Sequence, residues 1–228
     1  MSKILAIIPA RGGSKGIKRK NVMPFKGSPL ISWTVRQAIL ELGVENVIVS
    51  TEDTEIARIA KDAGHIYSYI RPERLATDKS STEPVMEHVY EWYKKEIGKT
   101  PTYIMLLQPT SPIRNHGRVI DAVTLMDKKK FDSALSVFEE HAFHWRDFDA
   151  PKPTYDPQKR PRRQDIEDKD RIYRENGSIY ITKTECFEKG KCRISGSIGL
   201  ILMDQHESVE IDTLTDWKIN ENFVDLLK

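Results

Sequence analysis

The chain alternates short apolar runs with amphipathic helical patterns along most of its length. Its first apolar run, residues 4–8, is continuous, which is typical of a strand buried on both faces. Further strands are predicted at residues 47–51, 103–107, 132–138, 178–181 and 198–203, and helices at residues 30–42, 53–63, 83–97, 118–126 and 215–227. Residues 66–70 are compatible with one more short strand. This alternation favours an α/β fold with a mostly parallel, doubly wound sheet.

Residues 144–173 break the alternation and are rich in charge and proline. Four prolines within eleven residues, at positions 151, 153, 157 and 161, exclude a regular helix there. A disordered loop is one interpretation of this stretch, but Trp145, Phe148 and Tyr155 are poor residues for a solvated loop. We therefore predict an extended excursion, residues 144–173, that packs on another surface such as a second subunit.

The charge balance limits the classes of partner. Lysine plus arginine number 36 and aspartate plus glutamate 34, so the net charge is +2 and any anion site must be a local cluster. The basic run at residues 160–165 is typical of a solvated face, and we expect no nucleic-acid partner. No apolar run approaches the ~20 residues of a membrane span, so we expect no membrane partner. Cys186 and Cys192 make neither a disulfide framework nor a zinc site, which favours the cytoplasm.

A glycine-rich basic loop, residues 10–21, follows the first predicted strand. Gly12, Gly13 and Gly16 allow tight backbone turns, and successive N–H groups in such a loop can hold an anion. The loop also carries the cations Arg11, Lys15 and Lys20. It matches neither the Walker A pattern nor the dinucleotide fingerprint. Because ligands bind at the carboxyl ends of parallel strands, the loop predicts a polyphosphate site.

An acidic pair, Glu210 and Asp212, lies near the end of the chain. In a strand, residues two apart point to the same face. Two carboxylates on one face can share Mg²⁺, which prefers oxygen ligands and substrate phosphates. The spacing alone is equally compatible with a surface pair, and the polyphosphate loop favours the metal interpretation.

Two polar segments also follow predicted strands, at residues 71–81 and 108–114. Short polar side chains and arginines at strand ends are typical of positions that bind a base, a sugar or a carboxylate. Each segment is equally compatible with a turn and a helix cap, and Ser81 is a credible cap for the helix that follows.

Five segments together resemble the acylneuraminate cytidylyltransferase family, the CMP-sialic acid synthetases and their relatives. They occur in the family's order and cover nearly the whole chain: IIPARGGSKGIKRKN, RPERLATD, LLQPTSPIR, RRQDIEDKDRIYRENGSIY and VEIDTLTDW. The first is specific for this family and near relatives such as the CMP-Kdo synthetases. The segments around Gln164 and Asn176 narrow the likeness to enzymes for nine-carbon 2-keto sugar acids. The resemblance implies a Rossmann-like nucleotidyltransferase domain over residues 1–228, with residues 144–173 inserted as a dimerisation excursion.

The resemblance implies a reaction in which CTP and a nonulosonic acid of the sialic, legionaminic or pseudaminic type give a CMP-sugar and pyrophosphate, with Mg²⁺. The anomeric hydroxyl of the sugar attacks the α-phosphorus in line, which is chemistry that relies on positioning and charge stabilisation. It further implies a cytoplasmic homodimer that supplies lipopolysaccharide or capsule biosynthesis.

The resemblance also implies roles for individual residues. The catalytic residues are Arg11, Lys20 and Asp212, and the metal ligands are Asp212 and Glu210. The nucleotide-binding set is Arg11, Gly12, Gly13, Ser14, Lys15, Lys20, Asn21, Arg71, Ser81 and Gln108. The sugar-acid set is Gln108, Arg163, Gln164 and Arg174, of which Arg163 and Arg174 are expected to reach the site of a partner subunit.

The chain departs from the family's pattern at two positions. Position 210 is Glu where Asp is commoner, and position 18 is Lys where proline is frequent. No general base emerges either. The histidines His88, His116, His141 and His144 are candidates only by residue type, so we predict a metal-bound or solvent-assisted path for the hydroxyl proton.

Three alternatives remain open from the residues. One is a nucleotidyltransferase for another sugar acid such as Kdo, and another is a catalytically silent nucleotide-binding regulator. The third is an RNA-binding protein that uses the basic run. An RNA-binding protein has no need for glycines, three cations and a distant acidic pair together.

Overall fold

The computed structural model describes residues 3–227, so residues 1, 2 and 228 of the predicted domain lie outside the described residues. The strands are β1 (Ile4–Pro9), β2 (Pro24–Phe25), β3 (Ser28–Pro29), β4 (Val47–Ser50), β5 (Tyr103–Leu107), β6 (Ser133–Glu140), β7 (Trp145–Arg146), β8 (Lys152–Pro153), β9 (Ile172–Lys183) and β10 (Ile198–Leu202). The helices are α1 (Leu30–Leu42), α2 (Thr54–Asp62), α3 (Thr82–Ile97), α4 (Arg118–Lys129), α5 (Thr184–Gly190) and α6 (Leu214–Phe223). The predicted α/β alternation is confirmed.

Six strands form the central sheet, in the order β10-β6-β9-β5-β1-β4. The pairs β1–β4, β1–β5 and β10–β6 are parallel, whereas β9 is antiparallel to both β5 and β6. The other five strands therefore point the same way, and their carboxyl ends meet at one edge of the sheet. The prediction of a mostly parallel sheet is confirmed.

Apolar residues fill both faces of this sheet, which explains the continuous apolar runs of the sequence. In β1, Ile4, Ala6 and Ile8 pack on one face with α1, α2 and α4, while Leu5 and Ile7 pack on the other with α3 and α5. Since successive strand residues point to opposite faces, a strand covered on both sides is apolar at every position. The sheet is therefore doubly wound.

Three local predictions differ from the structure. Residues 66–70 form no strand, and Ile66 and Ile70 are more than half exposed. The segment makes no ladder with β4: Val49 N donates to His65 Nε2, Ser50 Oγ to the Tyr69 hydroxyl, and Arg71 N to Thr51 O. Helix α5 was not predicted. The last helix ends at Phe223 rather than residue 227, because the chain continues as a 3₁₀ turn.

The excursion, residues 144–173, holds the short ribbon β7–β8 and several 3₁₀ turns. The Tyr155 ring packs at a tilt of 45° against Phe143 with centroids 4.5 Å apart, and the Arg160 guanidinium lies 4.2 Å from the Phe143 centroid. Trp145 is 55% exposed and Phe148 is 98% exposed. The excursion thus packs locally through Tyr155 but leaves its two largest apolar side chains open to a partner.

None of the helices within residues 3–227 is both long enough and apolar enough to cross a membrane.

Candidate active site

An open cavity of about 380 Å³ lies at the edge where the parallel strands end. The loop after β1, the segment before α3, the turn after β5 and the chain after β10 supply its walls. The predicted site residues that line it are Arg11, Ser14, Lys15, Lys20, Asn21, Arg71, Ser81, Gln108, Glu210 and Asp212. The topology therefore brings together residues that are up to two hundred positions apart.

The basic loop and the acidic pair meet directly in this cavity. Lys20 is buried, its Nζ donates to the carbonyl oxygen of Ile211, and it lies 3.1 Å from Asp212 Oδ1. A Cβ at Gly16 would overlap the carbonyl oxygen of Asp212, so only glycine permits this approach. The ion pair of Lys20 with Asp212 holds a cation and a carboxylate beside one another at the cavity wall.

The acidic pair does not lie in a strand, which is the geometry that the argument from two-residue spacing started from. It belongs to an extended segment, in which Ile211 N donates to Thr110 O at 2.7 Å. The Ile211 side chain is buried against Phe25 and Trp217, so the two neighbouring carboxylates both turn toward the cavity. Glu210 and Asp212 thus share one face without a β-ladder, because burial of the Ile211 side chain between them fixes their orientation.

Thr110 was missed as a site residue. Its Oγ1 donates to Glu210 Oε1 at 2.9 Å. Burial raises the pKa of Glu210, the bond from Thr110 opposes this, and the charge of Asp212 raises the pKa further. A Cβ at Gly177 would lie 3.1 Å from Glu210 Oε2, so a glycine on β9 makes room for the longer arm of glutamate.

The other two loop cations are paired with a residue that the sequence reasoning also missed. Arg11 Nη1 lies 2.8 Å from Asp78 Oδ1, and Lys15 Nζ lies 3.2 Å from Asp78 Oδ2. The bond from Lys15, with a smaller contribution from Arg11, holds the pKa of Asp78 below its ordinary value. Asp78 belongs to the polar segment 71–81, but its position opposite the loop emerges only from the tertiary structure.

The start of the loop is held by acidic residues that follow β4. Gly12 N donates to Glu52 Oε1 at 2.8 Å, and a Cβ on Gly12 would overlap the Asp53 carboxylate. Arg19, in a left-handed conformation with φ 59°, bonds to Asp53, which also caps α2 through two backbone N–H groups. The Arg19 bond lowers the pKa of Asp53. Gly12 and Gly16 therefore allow other segments of the chain to approach the loop closely, a role that the sequence did not indicate.

Two buried arginines shape the cavity from behind. Arg71 is 4% exposed, donates to Ser50 O, and lies 3.9 Å from Glu52; burial lowers its pKa. Arg114 is fully buried, and burial lowers its pKa to about 10. Arg114 Nη2 donates to Gln108 O at 2.7 Å and to the β9 backbone, so it fixes the turn that carries Gln108.

Comparison with known proteins agrees with this geometry. A family profile described as "Cytidylyltransferase" matches residues 5–188. The chain belongs to the cytidylyltransferase family. It is 34% identical over 227 residues to N-acylneuraminate cytidylyltransferase A of Danio rerio, which covers 97% of this chain and 50% of that protein. The chain thus spans about half the length of that relative.

Two bacterial relatives match along nearly their whole length. CMP-N,N'-diacetyllegionaminic acid synthase of Legionella pneumophila is 32% identical over 231 residues, with 98% of this chain and 97% of that protein covered. Pseudaminic acid cytidylyltransferase of Campylobacter jejuni is 26% identical over 219 residues, with 94% and 93% covered. Together with the Danio rerio protein, these relatives carry three different acids in their names, and their identities to this chain range from 26% to 34%.

The fold is shared with a solved structure of CMP:2-keto-3-deoxy-manno-octonic acid synthetase complexed with CTP. The TM-score is 0.69, the identity 16%, and 99% of each chain is covered. The likeness confirms a nucleotidyltransferase-type α/β fold for this member of the cytidylyltransferase family.

Five predicted residues do not line the cavity of this cytidylyltransferase-family chain: Gly12, Gly13, Arg163, Gln164 and Arg174. Arg163 and Gln164 line a separate groove of the excursion beside Arg171. The Arg174 guanidinium lies 4.5 Å from the Phe138 centroid and 3.8 Å from Glu140. The three predicted sugar-acid residues Arg163, Gln164 and Arg174 therefore lie outside the cavity of their own chain.

The histidine candidates also lie elsewhere. No histidine is among the cavity-lining residues of the described chain. His88 Nδ1 lies 2.8 Å from the Tyr69 hydroxyl, His141 and His144 lie beside Glu139 and Glu140, and His116 is exposed. Their placement supports structural or solvated roles.

A second acidic cluster, Asp204, His206 and Glu207, has ligand atoms within 4.8 Å of one another. Glu207 is buried, and both its oxygens accept from Arg118, while Asn115 N and Asp204 N donate to it as well. Asp204 and Glu207 also form a capping box. Because a guanidinium already occupies these carboxylates, the cluster is a structural cap rather than a metal site.

Proposed function

We propose that the chain transfers a cytidylyl group from CTP to a nine-carbon 2-keto sugar acid and releases pyrophosphate. The observation that carries the proposal is the meeting of the basic loop with the acidic pair, through Lys20 and Asp212, in the cavity of a cytidylyltransferase-family fold. Cations for phosphates and carboxylates for a divalent cation are both required when one nucleotide must be held and cleaved. Neither an RNA-binding surface nor a bare anion site needs both.

In this proposal the cations of the cavity bind the triphosphate. Arg11, Lys15 and Lys20 face it from the loop, with Ser14 and Asn21 beside them, and Gly12 and Gly13 shape its backbone. Asn21 Nδ2 donates to Arg11 O at 3.1 Å, whereas its Oδ1 is buried without a partner, which leaves an acceptor at the cavity wall. A buried acceptor without a partner is costly, so a bound donor there would stabilise the complex.

Arg71 and Ser81 are proposed for the cytosine side, and Gln108 for a contact that bridges nucleotide and sugar. All three line the same cavity. Ser81 occupies the N-cap position of α3, but its side chain makes no cap hydrogen bond, so its hydroxyl is free to bind a ligand. Arg114 holds the backbone at Gln108 and thereby positions that amide.

Magnesium fits the acidic pair by donor chemistry. Asp212 is exposed into the cavity, with 68% of its side-chain surface open, and Glu210 keeps Oε2 beside a glycine. Carboxylate oxygens are the ligands Mg²⁺ prefers. A Mg²⁺ ion bound by Glu210 and Asp212 would reduce the electrostatic repulsion between these carboxylates and the phosphates.

The proposed step balances as an in-line displacement. The anomeric oxygen of the sugar acid forms a bond to the α-phosphorus of CTP, and the bond from that phosphorus to the bridging oxygen of pyrophosphate breaks. The hydroxyl proton passes to solvent, because no histidine reaches the described cavity. Arg11 and Lys20 stabilise the negative charge of the transferring and leaving phosphates.

We further propose a homodimer, with residues 144–173 inserted into a single domain, 1–228, as its contact. Arg163, Gln164 and Arg174 lie outside the cavity of their own chain, which is compatible with a role in the partner's site. Exposed Trp145 and Phe148 supply apolar area for such a contact. The two free, half-buried cysteines agree with a cytoplasmic enzyme, whose CMP-sugar would serve lipopolysaccharide or capsule biosynthesis.

Pyrophosphate release tests the proposal. Purified protein with CTP and Mg²⁺ is given N-acetylneuraminic, legionaminic, pseudaminic acid or Kdo in turn, and kcat/KM is compared. We expect turnover with a nine-carbon acid and at least tenfold weaker turnover with Kdo, about 1.4 kcal/mol of discrimination. Arg11→Ala should abolish most of the pyrophosphate release. The control Arg58→Ala, which breaks an ion pair on α2, should leave the release unchanged.

Two outcomes would contradict the proposal. CTP binding without pyrophosphate release from any of the acids would favour a silent nucleotide-binding regulator. Preferred turnover with Kdo would move the substrate to an eight-carbon acid.

A further inference from the structure

We propose that Asp78 occupies the place of a phosphate in the empty site and thereby sets the affinity for the triphosphate. The inference deepens the proposed function, since it concerns the same cavity. It assigns a role to a residue that the family resemblance did not single out.

The geometry of Asp78 is that of a bound anion. One carboxylate oxygen lies 2.8 Å from Arg11 and the other lies 3.2 Å from Lys15, so a single group bridges two cations of the loop. Both cations and Asp78 itself line the cavity. A phosphate with its oxygens spread over two donors would use the same pair of side chains.

The other carboxylates around the cavity cannot play this part. Asp212 and Glu210 are bound to other partners, Asp212 to Lys20 and Glu210 to Thr110. Glu52 is held by a backbone N–H of the loop, at Gly12. Asp78, in contrast, is bound in the described chain only through its two side-chain ion pairs, and its side chain is 48% exposed.

The segment that carries Asp78 has little to keep it in place. It runs between Arg71 and α3 as one 3₁₀ turn followed by bends, and Asp78 and its two neighbours are exposed. Its local bonds are short-range, such as Thr77 Oγ1 with Ser80 Oγ at 2.8 Å. Asp78 can therefore leave the two cations without breaking the sheet or a helix.

An incoming triphosphate must displace this carboxylate, because two anions cannot share the same two cations without repulsion. The protein thus keeps Arg11 and Lys15 neutralised and oriented while the site is empty. The cost is a weaker net affinity for phosphates, and the return of Asp78 after reaction would favour release of pyrophosphate. Exposed ion pairs are individually weak, so the effect on affinity is about three- to tenfold.

Calorimetric titration of the 228-residue chain with sodium tripolyphosphate, then with CTP and Mg²⁺, tests the proposal. Asp78→Asn keeps the shape but removes the charge. We expect it to bind tripolyphosphate about three- to tenfold more tightly than the unchanged protein at low ionic strength, with a smaller gain in 0.5 M salt because screening weakens the ion pairs. The matched control is Glu73→Gln, which removes one exposed carboxylate from the same segment away from the cavity and should change affinity less than about twofold.

Three results would overturn it. Equal or weaker binding by Asp78→Asn would show that the carboxylate only orders the cations. An equal gain in Glu73→Gln would show a general charge effect. Failure of both the unchanged protein and Asp78→Asn to bind tripolyphosphate or CTP would remove the proposed function as well. Either of the first two results, in a protein whose binding is still weakened by Arg11→Ala, would remove the Asp78 proposal alone.

Discussion

At the scale of single residues, the Lys20–Asp212 contact joins the beginning and the end of the chain. Lys20 is held by a backbone carbonyl as well as by the carboxylate, so its amine is fixed while Asp212 stays open to the cavity. A fixed cation and an exposed carboxylate can each meet a different part of a metal-bound triphosphate.

Asp212→Asn should reduce Mg²⁺-dependent pyrophosphate release by about 10²-fold or more, because the amide loses the charge a divalent cation needs. The measurement is turnover across a Mg²⁺ titration, with thermal unfolding as a check on folding. The control is Asp225→Asn, which removes a carboxylate that is also paired with a lysine, Lys26, but lies outside the cavity. Full Mg²⁺-dependent activity in Asp212→Asn would contradict the metal assignment.

His65 makes the stability of the fold depend on pH. It is 7% exposed and its Nε2 accepts from Val49 N at 3.1 Å, and burial lowers its pKa from 6.5 to about 4. The unfolded chain therefore binds more protons than the folded one between these two values. The contribution of His65 to the free energy of unfolding is therefore fully present above pH 6.5 and is lost as the pH falls toward 4.

From pH 7.5 to pH 5, His65 should lower the free energy of unfolding by about 2 kcal/mol. Urea unfolding at both pH values measures the free energy of unfolding of the unchanged protein and of His65→Gln. The decrease in that free energy between pH 7.5 and pH 5 should be smaller in His65→Gln by about 2 kcal/mol. His116→Gln, at an exposed position, should keep the full pH dependence. Parallel pH curves for the unchanged protein and His65→Gln would contradict the assignment.

At the scale of elements, the loop after β1 depends on contacts with other segments more than on its own flexibility. Gly16 lies against the backbone of Asp212, and Gly12 lies against Asp53 and bonds to Glu52. Gly13, in contrast, has open space where a Cβ would go. The three glycines look alike in the sequence but differ in the space around them: Gly12 and Gly16 leave no room for a Cβ, whereas Gly13 does.

Gly16→Ala should weaken CTP binding by about tenfold or more, because the new methyl group pushes the loop away from the acidic pair. Gly190→Ala, at the last residue of α5, is the control and should bind CTP within about twofold of the unchanged protein, since its methyl group meets no neighbour and the residue lies outside the cavity. Fluorescence or calorimetric titration with CTP measures both. Equal affinities in the two variants would show that the contact with Asp212 is not needed.

At the scale of the whole molecule, apolar surface remains uncovered within one chain. Trp145 and Phe148 are exposed on the excursion, and Ile198, Leu200 and Leu202 are about half exposed on one face of the edge strand β10. Contiguous exposed apolar surface marks an interaction site more often than an isolated side chain does. The excursion also holds Arg163 and Gln164, and Arg174 follows it directly on β9; none of these three predicted sugar-acid residues lines the cavity of its own chain.

If the proposed homodimer forms through the excursion, replacing Trp145 and Phe148 by Ser should shift the protein from dimer toward monomer mass. Turnover should fall as well, because in that dimer the partner's arginines would no longer reach the site. Light scattering over a concentration series, paired with pyrophosphate release, measures this. Leu40→Ser, at a 70% exposed leucine of α1, is the control and should keep the dimer mass. A protein that is monomeric at every concentration and fully active would contradict the homodimer.

The sequence by itself determined the six strands of the central sheet, most helices, and the presence of a basic loop and an acidic pair, because period and residue type are local properties. It could not determine the antiparallel placement of β9, the irregular path of residues 66–70, or the pairing of Asp78 with Arg11 and Lys15. These three features depend on which strand ends share an edge of the sheet. Contacts between residues far apart in sequence exist only once that edge is formed, so the tertiary structure decided which charges face one another in the cavity.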